Sequence, residues 1–205
     1  WIEGKLSRKF IHIGTGPIFV LCWLMFPDVT NARYFAALVP LLITVQFILV
    51  GTGLMKDDAA VEAMTRTGNP KEILRGPLYY GIMFVVLTIL YWKDSPIGIA
   101  ALMMMCGGDG IADIVGRRVK SPKLFWSREK SVAGSLSVFV GGALLTALIL
   151  FIYIDVRVFS AQFSLVVLPI LWIALGGMLV ESLPFKDIDN ITLTVAAMLI
   201  GYFVF

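Results

Sequence analysis

Charge is scarce in this chain: 17 Lys and Arg and 14 Asp and Glu make up 15% of its 205 residues, against 59% hydrophobic ones. With a mean hydropathy of +0.88, that scarcity excludes an ordinary water-soluble domain. Basic runs are lacking too. The net charge of +3 comes from Lys and Arg interspersed with acidic residues in loops, so no nucleic-acid partner is expected. The two cysteines, Cys22 and Cys106, lie in apolar stretches without CxxC or Cys/His spacing, which argues for packing rather than a zinc site or a disulfide framework. The Gly-x4-Gly-Lys-Ser/Thr order of a P-loop is missing, as are internal repeats and low-complexity stretches. Residues 1–205 therefore read as a single membrane domain with no room for a separate soluble one.

What the chain does have is apolar runs, at 10–26, 34–55, 77–92, 95–106, 132–154, 163–180 and 191–205. A bilayer-spanning helix needs about 20 mostly apolar residues, so the fold class expected is an all-α integral membrane bundle of about seven transmembrane helices. The fourth and seventh runs are short. The fourth leads directly into Gly107-Gly108-Asp109, where a broken or half-buried helix would be tolerated only if it lined a cavity. Assigning loops alternately to two sides places 14 of the 17 basic residues with the N-terminus, leaving Arg33, Lys93 and Arg157 opposite. The polar loops thus gather mostly on one face, the cytosolic or stromal one by the positive-inside rule.

The most informative stretch is Cys106-Gly-Gly-Asp-Gly-Ile-Ala-Asp-Ile-Val-Gly-Arg-Arg118. Asp109, Asp113 and Arg117 recur every four residues and would share one helical face. Two carboxylates near membrane depth are costly unless compensated, and a magnesium ion carrying nucleotide phosphates would compensate them. Gly107, Gly108 and Gly110 would let a phosphate approach the backbone. The alternative is a capped helix end with an Asp113–Arg117 ion pair. Downstream, Lys130-Ser131-Val-Ala-Gly134-Ser135 opens a new apolar run. Ser131 suits an N-cap there, and free N–H groups with Lys130 would make an anion seat; a positive-inside anchor with an ordinary cap explains the same residues.

Near the start, Arg8 and Lys9 lie four and three residues before His12, the one histidine. An ionisable residue just inside the membrane is a candidate phosphate ligand or general base, or else a satisfied interfacial side chain. Late in the chain, Glu181-Ser-Leu-Pro184 precedes Asp187, Asp189 and Asn190. Glu181 ends an apolar run and is the hardest of these to explain as solvated surface, whereas Asp189 and Asn190 suit a helix cap or a catalytic contact equally. The loop at 56–75 reads as a solvated amphipathic segment with no assigned chemistry.

Gly-Gly-Asp-Gly-Ile-Ala-Asp-Ile-Val-Gly-Arg-Arg followed by Lys-Ser-Val-Ala-Gly-Ser resembles the phytol kinase and farnesol kinase family, part of a wider polyprenol kinase group. Arg8-Lys9-x-x-His12 and Glu181-Ser-Leu-Pro with Asp189-Asn190 also look like that family's pattern, so the resemblance covers nearly the whole chain. It implies one polytopic membrane kinase domain that uses CTP and a divalent cation to phosphorylate phytol, geranylgeraniol or farnesol drawn from the bilayer. Such activity would support phytol salvage and tocopherol synthesis in plastid or cyanobacterial membranes. The resemblance also implies Asp109 and Asp113 as metal and nucleotide ligands and Arg117 and Lys130 on phosphates, with Arg8, Lys9, His12 and Glu181 around the same pocket. A looser likeness, Asp then Gly-Arg then Lys-Ser-x-x-Gly, extends to membrane CDP-diacylglycerol synthases, making a cytidylyltransferase the nearest rival. A transporter is the rival from another class, since acidic residues on glycine-broken helices also build mid-membrane substrate sites.

Overall fold

The computed structural model describes residues 2–185 and 188–205, with side chains from residue 9 onward. Each apolar run folds as a helix: α1 (Ile2–Trp23), α2 (Ala32–Gly51), α4 (Gly76–Leu90), α5 (Pro96–Met103), α7 (Val132–Asp155), α8 (Phe163–Glu181) and α9 (Asp189–Val204). The short α3 (Asp58–Met64) and a 3-10 turn at Pro70–Leu74 fill the loop between α2 and α4. Among the described residues, five helical stretches are long and apolar enough to cross a membrane: Ala32–Gly51, Pro70–Leu90, Pro96–Arg118, Val132–Asp155 and Phe163–Glu181. The apolar parts of α1 and α9, at Lys9–Trp23 and Asp189–Val204, are shorter.

The fourth run does not stop at its glycines. From α5 the chain passes through a π turn at Met104–Asp109 and continues as α6 (Gly110–Arg118), so a single rod of Pro96–Arg118 carries the apolar run into the polar motif. Residues Ile99–Cys106 are at most 1% exposed, which explains why this segment is apolar on every side: it is the axis of the bundle. α1, α4, α7, α8 and α9 all pack against it.

Apolar lipid gives helices no hydrophobic reason to associate, so the contacts depend on close fit, with small residues admitting neighbours. Gly16 of α1 faces the Cys106 side chain, and Gly142 and Gly177 face Met104. Gly107 and Gly108 press on α7: a Cβ at Gly107 would lie 2.7 Å from Leu145 and 3.2 Å from the Gly141 carbonyl, and one at Gly108 would meet Val138. Gly110 faces α1, where a Cβ would lie 2.4 Å from Ile13 and 3.2 Å from the His12 ring. Beside these three glycines, where a phosphate was expected to approach, neighbouring helices pack closely. Gly107→Ala should cost about 1–3 kcal/mol through overpacking and lower the thermal unfolding midpoint in detergent. Gly14→Ala, which meets nothing within 4 Å, should leave the midpoint unchanged or raise it.

The all-α expectation also misses one element. The basic loop after α6 is an antiparallel hairpin, β1 (Lys123–Leu124) with β2 (Ser127–Ser131). Trp126 Nε1 donates to the Ser182 carbonyl at 3.1 Å, tying the hairpin to the end of α8. At the other end of the bundle, Arg33 pairs with Asp94 and Lys93 with Asp28. Thus two of the three basic residues expected opposite the main cluster do lie together, away from the site.

Candidate active site

The π turn meets the histidine of α1 at both of its ends. Its wider backbone spacing leaves carbonyls open to side-chain partners, and His12 Nε2 lies 3.2 Å from the Met105 carbonyl. The same nitrogen is 3.3 Å from Asp109 Oδ2. Both neighbours only accept hydrogen bonds, so Nε2 is placed to donate to them. Tyr80 of α4 fixes the other side of the histidine: its hydroxyl donates to the His12 carbonyl at 2.7 Å, and the two rings are 4.4 Å apart.

Lys9, one turn earlier on α1, lies 3.7 Å from Asp109 Oδ2 and 3.4 Å from Asp113 Oδ2. One ammonium therefore spans the two carboxylates, as the i, i+4 spacing of the motif requires. Arg117 Nε donates to Asp113 Oδ1 at 2.7 Å. The ion pair and the shared face are thus both present, and the two readings of the motif are not exclusive. Arg8 is part of α1, but its side chain lies outside the described residues, as do Lys186 and Asp187.

Lys130 leaves β2 pointing inward and pairs with Glu181 at the end of α8. Burial opposes its charge, yet the Glu181 carboxylate lifts its pKa above the usual lysine value. It is accordingly a fixed cation in the site and not a solvated surface anchor. The N-terminus of α7, expected as an anion seat, follows directly. Ser131 does cap α7, accepting from Gly134 N at 3.2 Å, but Val132 N donates to the Pro122 carbonyl and Ala133 N to Ser121 Oγ. The first N–H groups of α7 already have partners, so what remains for a ligand is the charge of Lys130 and the hydroxyl of Ser135. Ser135 Oγ is buried without a hydrogen-bond partner, and so is Asn190 Oδ1.

These groups line one cavity of about 830 Å³. One part is polar, with Lys9, Asp109, Asp113, Lys130, Glu181 and Asp189; another is apolar, with Pro40, Ile43, Phe47 and Phe84. Phytol kinase 1, chloroplastic, from Arabidopsis thaliana is 37% identical to this chain over 100% of it and 68% of the Arabidopsis protein. The chain belongs to the phytol kinase and farnesol kinase family. A rice (Oryza sativa subsp. japonica) protein named probable phytol kinase 1, chloroplastic, is 45% identical over 100% of the chain and 66% of its own length. Farnesol kinase, chloroplastic, from Arabidopsis is 39% identical over 99% and 66%. The chain thus spans about two thirds of the length of these relatives. No family model and no solved structure matches it.

A phytol kinase-like site raises the question of a metal. Among the described residues no group of three or more His, Cys, Asp or Glu stands ready to hold one. Magnesium asks for less: one or two carboxylates, with waters and substrate phosphates completing its shell. Asp109 and Asp113 therefore fit a cation that arrives on phosphates, and do not by themselves make a resident metal site.

The family motifs carry most of the polar part, but the sequence reading overlooked two contributors. The loop at 56–75, assigned no chemistry, brings Arg66, Thr67, Glu72 and Arg75 to the rim of the cavity. Glu72 organises that loop by accepting from Arg66 N at 2.6 Å and from the Thr67 hydroxyl. The four basic residues of the segment were the available signal. Tyr80 is embedded in an apolar run and gave none.

Proposed function

We propose that this chain acts as one membrane kinase domain, crossing the bilayer seven times. It transfers the terminal phosphoryl group of CTP, accompanied by Mg2+, to phytol or a related prenol such as geranylgeraniol or farnesol. Phytol salvage and tocopherol synthesis in a plastid or cyanobacterial membrane are the processes this would serve, with the site on the stromal or cytosolic face. The observation that carries the reading is the meeting of Asp109 and Asp113, bridged by Lys9, with an apolar compartment inside one cavity.

Phosphoryl transfer through a loose transition state demands in-line positioning and charge neutralisation more than a strong base. Asp109 and Asp113 would hold the metal-bound phosphates, the cation supplying neutralisation of their charge. Lys9, Arg117 and Lys130 offer the remaining positive charge. As the alcohol oxygen bonds to phosphorus, its O–H bond breaks and the proton passes to His12 Nδ1, while the bridging oxygen leaves with its electron pair on the nucleoside diphosphate. Tyr80 orients the histidine without touching the reacting atoms.

Ser135 offers a separate check. An orphaned buried hydroxyl is a cost in the free protein that a ligand would repay. Ser135→Ala should hold or raise the unfolding midpoint while raising the KM for nucleotide about tenfold, one good hydrogen bond's worth. Nucleotide products test the proposal as a whole. CDP formed only in the presence of a prenol, and lost on chelation with EDTA, is the expected result. Pyrophosphate together with a CDP-lipid would replace the kinase by a cytidylyltransferase.

A further inference from the structure

The proposed function leaves open how a membrane-dissolved alcohol reaches buried carboxylates. α1 and α2 are consecutive helices, yet among the described residues they make almost no contact with each other: α1 packs on α6, the π turn and α3, α2 on α4. Contact between α1 and α4 runs through the Tyr80 hydroxyl on the His12 carbonyl, the tilted rings of His12 and Tyr80, and those of Phe19 and Phe84, 5.3 Å apart. Between α1 and α2 there is thus a slot with α4 as its back wall. The cavity lining follows this geometry residue by residue. Pro40, Ile43 and Phe47 fall on one face of α2, and Gly76, Tyr80 and Phe84 on one face of α4.

Ile11 and Ile43 identify the mouth, because each lines the cavity and is also 44% and 43% exposed, respectively, on the lipid-facing side of an apolar helix. Phe84, 3% exposed and packed at an angle against Tyr80 and Phe19, closes the deep end. From Gly76 to Phe84 the back wall runs about 12 Å, at roughly 1.5 Å per helical residue. The top of the slot carries His12 and Asp109, and its side is open to acyl chains.

Resting on the kinase reading, we infer that the space between α1 and α2 is a lateral portal through which the isoprenoid alcohol enters from the bilayer. Its hydroxyl leads toward His12 and its first isoprene units lie against α4. The rest of the chain passes out between Ile11 and Ile43 into lipid. The occupant is an uncharged single chain: below Tyr80 the lining is Pro40, Phe84 and Thr15, whose hydroxyl is taken up by the Ile11 carbonyl, and the charged groups lie at the top, where the hydroxyl reacts. Turnover efficiency should accordingly rise with prenol length up to what about 12 Å of slot accommodates and then level off, since further isoprene units stay in lipid.

The experiment is photo-labelling in lipid nanodiscs with a prenol bearing a diazirine in mid-chain, followed by peptide mapping, run alongside a phosphoryl-transfer assay on the same preparation. Label on the α1 segment around Ile11 and the α2 segment around Ile43, competed by excess phytol, is expected. Ile43→Trp should cut that label at least fivefold, whereas Leu42→Trp, on the outer surface of α2, should leave it intact. Competed label on α7 to α9, or labelling indifferent to Ile43→Trp in a protein with an unchanged melting curve, overturns the portal. Portal labelling without any phosphoryl transfer would uphold the portal and remove the kinase reading, so the two fail separately.

Discussion

Asp109→Asn is expected to lower turnover by at least about a hundredfold, the loss typical of removing one preorganised electrostatic contact in a water-poor site. The substitution keeps the shape and removes only the charge. Asp109 is where three influences meet: the Lys9 ammonium, the His12 ring and the end of the π turn. The fold should survive, because Lys9 retains Asp113 as a partner and the π turn is held by the packing of Gly107 and Gly108 against α7. The check is a rate measurement paired with a thermal melt in the same detergent. A variant with near-normal rate would remove Asp109 from the chemistry, and one that unfolds would make it structural.

Lys130→Met is expected to harm both stability and rate, and the reason for the first lies in its partner. Glu181 is 6% exposed and pairs with Lys130. Removing one member of a buried ion pair strands the other, at a cost of about 3 kcal/mol, toward the lower end of the usual range because Lys130 keeps some solvent contact. Replacing both, Lys130→Met with Glu181→Met, should recover most of that stability, since two apolar side chains of similar length need no compensation. Activity should not return with it, because the charge that Lys130 adds to Lys9 and Arg117 would still be missing from the site. Melting temperatures and rates of the two single variants and the double variant make the comparison complete. Recovery of both stability and rate in the double variant would reduce the pair to a structural brace.

The seven apolar runs all became helices because segments in lipid must satisfy their backbone internally, which leaves periodicity and length as nearly sufficient signals. Asp109, Asp113 and His12 each stood out because ionisable residues inside apolar runs are expensive and therefore informative, while their grouping with Lys9 around one pocket was an expectation from the resemblance. What the glycines and the α7 N-terminus do was not legible. Whether a missing Cβ admits a phosphate or a helix depends on what lies opposite, and Leu145, Gly141 and Ile13 come from elsewhere in the chain. Likewise, the partners that take up the first N–H groups of α7, Pro122 and Ser121, depend on how the hairpin folds back. Arg66 and Arg75 read as solvated because the loop's own sequence is amphipathic, and only the tertiary fold brings it over the cavity.

The measurement closest to the central claim follows the label itself. Purified protein in detergent with magnesium and phytol is given CTP labelled in the terminal phosphate, and the lipid products are separated. The account predicts label in phytyl phosphate, dependent on the cation and lost in Asp109→Asn. Label absent from every prenol tested, in a protein that remains folded, would contradict it.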